Sequence, residues 1–155
     1  MPTRVFSQEP DLIGALPKLM AHARRFFAAE LEILAASPPE RPELLQAFVH
    51  LHFESGRYPG SGTFRIESRP TVADDRFAAE GAEARGRAGG MASLAERCPA
   101  LWVITPEGEA SGTAELQLSA LLASVALGPV MPGDESTLYG VRGAMERAEK
   151  ASSKA

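Results

Sequence analysis

The sequence predicts an α+β fold: a small antiparallel sheet built on a 46–69 hairpin, covered by a long N-terminal helix and by C-terminal helices. Three observations lead there. Apolar residues recur at steps of three and four between Asp11 and Ala36. Two runs of strict alternation, ending at Glu54 and beginning at Thr63, flank a Gly-rich segment. Helical spacing returns after Thr113.

The first helix rests on Ile13, Leu16, Met20, Ala23, Phe27, Leu31 and Leu34, which form one stripe at helical period. Asp11 is a suitable N-cap, because its carboxylate can accept from a first-turn N–H. Pro17 is awkward in a helix that starts at Asp11 and fits the first turn of one starting nearer Leu16. The segment from Ser37 to Pro42, SPPERP, ends the helix. In the run to Ser55, Val49, Leu51 and Phe53 alternate with His50, His52 and Glu54, which predicts a half-buried strand. Phe64 and Ile66 alternate with Arg65, Glu67 and Arg69 in the same way. The intervening GRYPGSG therefore reads as the loop of an antiparallel hairpin.

The stretch from Asp74 to Arg97 contains Gly81, Gly86, Gly89 and Gly90. It predicts a connection or broken helix, then a short helix over Met91–Arg97. Ala100–Pro106 is a short apolar strand between prolines. Leu118, Leu121, Leu122 and Val125 predict a helix with Thr113 as cap and Gly128 as stop. A strand over Glu115–Ser119 is the alternative. The last element becomes helical after Gly143. The expected organisation is one α+β domain over 1–148 and a flexible tail over 149–155.

Composition excludes several function classes. The chain has 155 residues, 45% of them apolar, and a formal charge of −4 from 16 basic and 20 acidic residues. That balance gives no general attraction to nucleic acid or to anionic membranes. Arginine outnumbers lysine 13 to 3. A GC-rich coding sequence gives that bias without any function. Cys98 is the only cysteine, so no intrachain disulfide forms and a reducing compartment is expected. The opening residues, MPTRVFSQEP, lack the apolar run of an export signal, and no segment approaches the ~20 apolar residues that span a bilayer. The expected location is cytoplasmic.

His50, His52 and Glu54 are the candidate metal ligands. Residues two apart on a strand share a face roughly 6.5–7 Å apart. Imidazole and carboxylate suit zinc or a similar ion, and His22 could join from the helix. Against this, Arg65, Glu67 and Arg69 fall on the same hairpin face, where cross-strand ion pairs account for the charges. The chain also lacks H-E-x-x-H, paired C-x-x-C and H-x-H-x-D-H patterns. The loop GRYPGSGT lacks the Gly-Lys-Ser/Thr ending of a phosphate loop and leads into a strand. Cys98 reads as a buried apolar residue, and G-x-S-x-G does not occur.

Seven arginines and no lysine lie between Gly56 and Cys98, interleaved with acids. No basic residue lies between Arg97 and Arg142, where acids continue. The two regions are complementary, within one subunit or between two. Phe26, Leu122 and Leu127 widen the apolar faces of their helices, and they are the candidate interaction surface. The residues favour a non-enzymatic protein-interaction module, adaptor, chaperone-like or regulatory. The expectation is a homo-oligomer with no cofactor, whose partner is another protein or, as a homodimer, a second copy of itself. The competing readings are a metal-dependent hydrolase using His50, His52 and Glu54, and a nucleic-acid binder using the arginine segment.

Overall fold

The computed structural model describes residues 2–37, 45–53, 61–108 and 112–153. The described residues form a mixed α+β structure of one six-stranded antiparallel sheet and five helices. In chain order these are β1 (Thr3–Ser7), α1 (Leu12–Phe27), β2 (Ala29–Ala36), β3 (Gln46–Phe53), β4 (Ser61–Pro70), α2 (Ala73–Gly86) and α3 (Met91–Glu96). Then come β5 (Ala100–Glu107), α4 (Gly112–Ala126), β6 (Val130–Met131) and α5 (Val141–Ser153). The strand order is β2-β3-β4-β5-β1-β6.

The long N-terminal helix is corrected to a strand, a 16-residue helix and a further strand. The sheet begins at Thr3, so the helix does not open the fold. Asp11 caps α1 as expected, its Oδ1 accepting from Gly14 N at 2.9 Å. Pro17 nevertheless lies inside the helix, where the ladder forgoes the bond its missing N–H would make. At the other end Ala28 adopts a left-handed conformation (φ 51°), and its N–H closes the last turn. The chain reverses there. Ala29 and Leu31 are buried, and Glu30 and Glu32 are exposed, which is the alternation of a strand.

The 46–69 hairpin is present as β3 and β4, paired antiparallel from Gln46↔Glu67 to His52↔Ser61. Ala47, Val49, Leu51, Phe64 and Ile66 are wholly buried on one face of the sheet. Together with Val5, Trp102 and Ile104 they form the floor of the main core. Its roof is α1 through Leu12, Leu16, Leu19, Ala23 and Phe27, together with α4 and α5. In the middle of that roof lies α4, against both α1 and α5. It buries Leu118, Ala120, Leu121, Leu122, Ala123 and Ala126, residues that run all the way round the helix. A helix apolar on every side is one enclosed on every side. Its formation also removes the alternative strand over Glu115–Ser119.

The helical stop after α4 works differently from the expectation. Leu127, not Gly128, takes the left-handed conformation (φ 54°). Gly128 is needed for close approach, because a Cβ there would collide with the Phe6 carbonyl oxygen. This lets β1 lie against the chain leaving α4, with Phe6 N donating to Pro129 O and Gln8 N to Ala126 O, both at 2.9 Å.

On the opposite face of the sheet, α2 and α3 form a smaller core. Ala79, Ala82, Ala92 and Ala95 pack there with Phe6, Leu101, Met131 and Leu138. The glycine-rich stretch is thus two helices, and α3 falls where the short helix was expected. Toward the C-terminus α5 runs on to Ser153, so 149–153, expected as tail, is helical. No helix among the described residues is long and apolar enough to cross a membrane.

Candidate functional site

Among the described residues the helices α2 and α3 share their apolar core with Phe6 of β1, Leu101 of β5, Met131 of β6 and Leu138. Among the described residues no helix shares an apolar core with that face of β2, β3 and β4, and α2 reaches it only at the end of β4, through Asp75 on Arg69. The alternation of those strands therefore leaves a polar half-sheet, open on its face and at its β2 edge. Its rows follow from the register. Glu30 lies opposite His52, which lies opposite Ser61. Glu32 lies opposite His50, then Thr63, then Glu107. Phe48 lies opposite Arg65, and Gln46 opposite Glu67.

Glu30, Glu32 and His52 are exposed, while Phe48, His50, Thr63, Arg65 and Glu67 are half-buried. His50 Nδ1 is 2.9 Å from Thr63 Oγ1. Arg65 Nε lies 2.9 Å from Glu67 and 3.6 Å from Glu107, so one guanidinium serves two carboxylates. At the rim, Arg24 and Glu30 form an exposed ion pair at 3.0 Å. Glu32 makes no ion pair among the described residues. Among the described residues carboxylates thus outnumber guanidinium groups on this surface.

The predicted histidine set is brought together only in part. His50 and His52 share the open face, and Glu54 lies outside the described residues. His22 cannot join them, because α1 lies on the other side of the sheet. His22 Nδ1 is 2.8 Å from Ser124 Oγ, and its ring meets Phe26 edge-on at 5.1 Å. Ser124 Oγ donates its one proton to Leu121 O at 2.6 Å. It can therefore only accept from His22, which places the imidazole proton on Nδ1. Burial, followed by the nearby charges of Lys18 and Arg25, lowers the His22 pKa. Among the described residues no group of three or more His, Cys, Asp or Glu is placed to hold a metal ion.

The expected apolar surface does not form one patch. Leu122 is wholly buried in the main core, which corrects its assignment to a surface. The surplus apolar width of α4 is taken up by α1 and α5. Phe26 and Leu127 are exposed, but at opposite ends of α1. Phe26 sits in its last turn, and Leu127 lines a shallow groove by its start with Gln8, Asp11 and Lys18. Cys98 is buried, its Sγ 3.4 Å from Leu94 O, and burial pushes its thiol up to about 11. It is an inert core residue at neutral pH.

Three arginines of the middle segment, Arg65, Arg69 and Arg85, make contacts within the chain. Arg69 binds Asp75 with two bonds of 2.8 Å, and the Asp75 carboxylate also accepts from Val72 N at 2.9 Å. That arrangement ties β4 to the start of α2, a link invisible in the spacing of either residue. The Arg69 bonds, more than any other cause, hold the Asp75 carboxyl below its usual range. Arg85 donates to Glu135 O at 2.9 Å, and Arg4 lies 3.2 Å from the Glu135 carboxylate. Arg65 with Glu107 joins opposite charges of the middle and C-terminal regions inside one chain, whereas Arg85 meets only the backbone carbonyl of Glu135. Comparison with protein-family models, with curated proteins and with solved structures gives no match.

Proposed function

We propose that this protein works by binding another protein, and that it does so on the open β2–β3–β4 half of the sheet. One observation supports this above the others. The same sheet face carries the apolar cover of α2 and α3 over β5, β1 and β6, and among the described residues has no such cover over β2, β3 and β4. A half-sheet that carries a free edge, a half-buried Phe48 and ordered charges has the polar rim and backbone hydrogen-bonding capacity that strand-based recognition uses. The histidines are part of that surface in this reading, with Glu30 and Glu32 as their cross-strand neighbours.

The test is site-directed photo-crosslinking in the native host. A photoreactive amino acid replaces His52 or Thr63 on the open face, or Arg142, whose side chain is 95% exposed on α5. Cross-links to a second polypeptide are expected from positions 52 and 63 and not from 142. Equal cross-linking from all three positions, or none from 52 and 63, removes the proposal.

A further inference from the structure

We infer that β2 is the docking edge for an extended, basic segment of a partner protein, which adds to the sheet with Lys or Arg side chains opposite Glu30 and Glu32. This rests on the binding surface proposed above and specifies its occupant.

The edge comes first. β2 pairs with β3 on one side and, among the described residues, has no strand on the other. Its outward N–H and C=O groups form a template for another strand. The regular part of that template is short, because the β2–β3 register shifts between Ile33 and Ala35. The docking frame is therefore Ala29–Ile33.

Side-chain chemistry then selects the occupant. Glu30 and Glu32 project on the open face, and Leu31 faces the apolar core under α1. A strand added beside this frame meets carboxylates on one face and an apolar boundary on the other. Alternating basic and apolar residues complement both. Arg65 does not neutralise the edge, since it is held by Glu67 and Glu107. Arg24 pairs with Glu30, but both side chains are more than half exposed and are free to exchange partners.

A second copy of this chain is disfavoured by the same charges. When Ala29–Ile33 pairs antiparallel with itself, Glu30 falls opposite Glu32 and Glu32 opposite Glu30. Like charges directly opposite one another destabilise a strand pair. The edge is thus guarded against itself and open to a basic strand.

Three synthetic ten-residue peptides test this: one alternating Lys and Val, one alternating Glu and Val, and a Lys/Val peptide N-methylated at every second residue. The unmodified Lys/Val peptide is expected to bind and to slow hydrogen exchange of β2 amides. The double variant E30K/E32K is expected to weaken it about tenfold and to make the Glu/Val peptide the better ligand. N-methylation, which blocks the ladder and leaves the charge, is expected to weaken binding about tenfold as well. Circular dichroism checks that the double variant folds, and the methylated peptide gives an independent answer if it does not. The inference is overturned if the Lys/Val peptide does not bind, or if the methylated peptide binds as well as the unmodified one. Binding indifferent to the charge reversal also overturns it, as does a β2-mediated dimer of the free protein in sedimentation. Failure here with cross-links still arising from positions 52 and 63 leaves the binding surface standing and removes its basic occupant. Failure of both experiments removes both.

Discussion

Two halves of one sheet face differ in what lies on them. Over β5, β1 and β6 the face bears Leu101, Phe6 and Met131, closed by the alanines of α2 and α3. Over β2, β3 and β4 the same face bears Glu32, His50, Thr63 and Arg65, and no helix among the described residues closes it. The backbone is continuous from one half to the other, with Arg65 opposite Thr105 and Glu67 opposite Val103 across the β4–β5 boundary. The difference therefore lies in the side chains and not in the sheet. A strand position becomes core or surface according to whether a small-residue helix can reach it, and Ala79 and Ala82 let α2 lie close.

The sharpest way to break that comparison is to cut one aromatic from each half. Phe6 is wholly buried under α2 and α3, and Phe48 is half-buried on the open half. Phe6→Ala should lower unfolding free energy by about 3–5 kcal/mol, the cost of a lost ring and the cavity it leaves. Phe48→Ala should cost about 1–2 kcal/mol, because solvent already reaches the ring and no sealed cavity forms. Urea denaturation of both variants measures the gap. Equal losses would mean that the open half is closed in solution.

The next effect lies on the boundary between the halves. Asp75 accepts three hydrogen bonds, two of them from Arg69 at the end of β4, and is itself buried. Asp75→Asn should cost about 2 kcal/mol, the range for hydrogen bonds to a charged group. It should also change the response to acid. The native carboxyl is held below its usual range, chiefly by Arg69, while the unfolded one titrates near ~3.9. As pH falls below about 4 the unfolded chain takes up the proton first, so the Asp75 contribution, present above that pH, is lost. Thermal unfolding between pH 6 and 3 should show a shallower loss for Asp75→Asn than for the parent chain. Parallel curves would mean that the Arg69 pair does not stabilise α2.

The closed half and the open half were unequally legible in the sequence. The 46–69 hairpin was plain, because its alternation is local and long. The strand β2 was not. Leu31 and Leu34 continue the step of α1, and Ala, Glu and Leu are good helix formers. The same residues also alternate, and what decides is the left-handed turn at Ala28, which alanine does not announce, and pairing with β3, which is not local in sequence. The strand β1 is five residues long and is held by β5 and β6, far along the chain. The buried residues of α2, Asp75, Ala79 and Ala82, keep helical spacing without a large apolar residue among them. The candidate site followed the same rule. The polar face of the hairpin could be read from period two. That β2 would extend it with two glutamates, and that His22 would face away, required the topology.

The smallest contrast is between two histidines with nearly equal contacts. His22 Nδ1 lies 2.8 Å from Ser124 Oγ in the helical layer, and His50 Nδ1 lies 2.9 Å from Thr63 Oγ1 on the open face. Ser124→Ala should cost about 1 kcal/mol, because the His22 donor then faces a partly buried gap. Thr63→Val should change stability by less than about 0.5 kcal/mol, since water can reach His50 and valine suits a strand. His22 adds a signature of its own. Its native pKa is lowered by burial and by Lys18 and Arg25, so as pH falls through about 6.5 the unfolded chain protonates first and stability declines. An NMR titration should find the His22 midpoint below that ordinary value, and His22→Gln should remove its part of the decline. A Thr63→Val loss as large as that of Ser124→Ala would mean that His50 is enclosed, and the contrast between the two halves would fail at the residue where it was expected to be clearest.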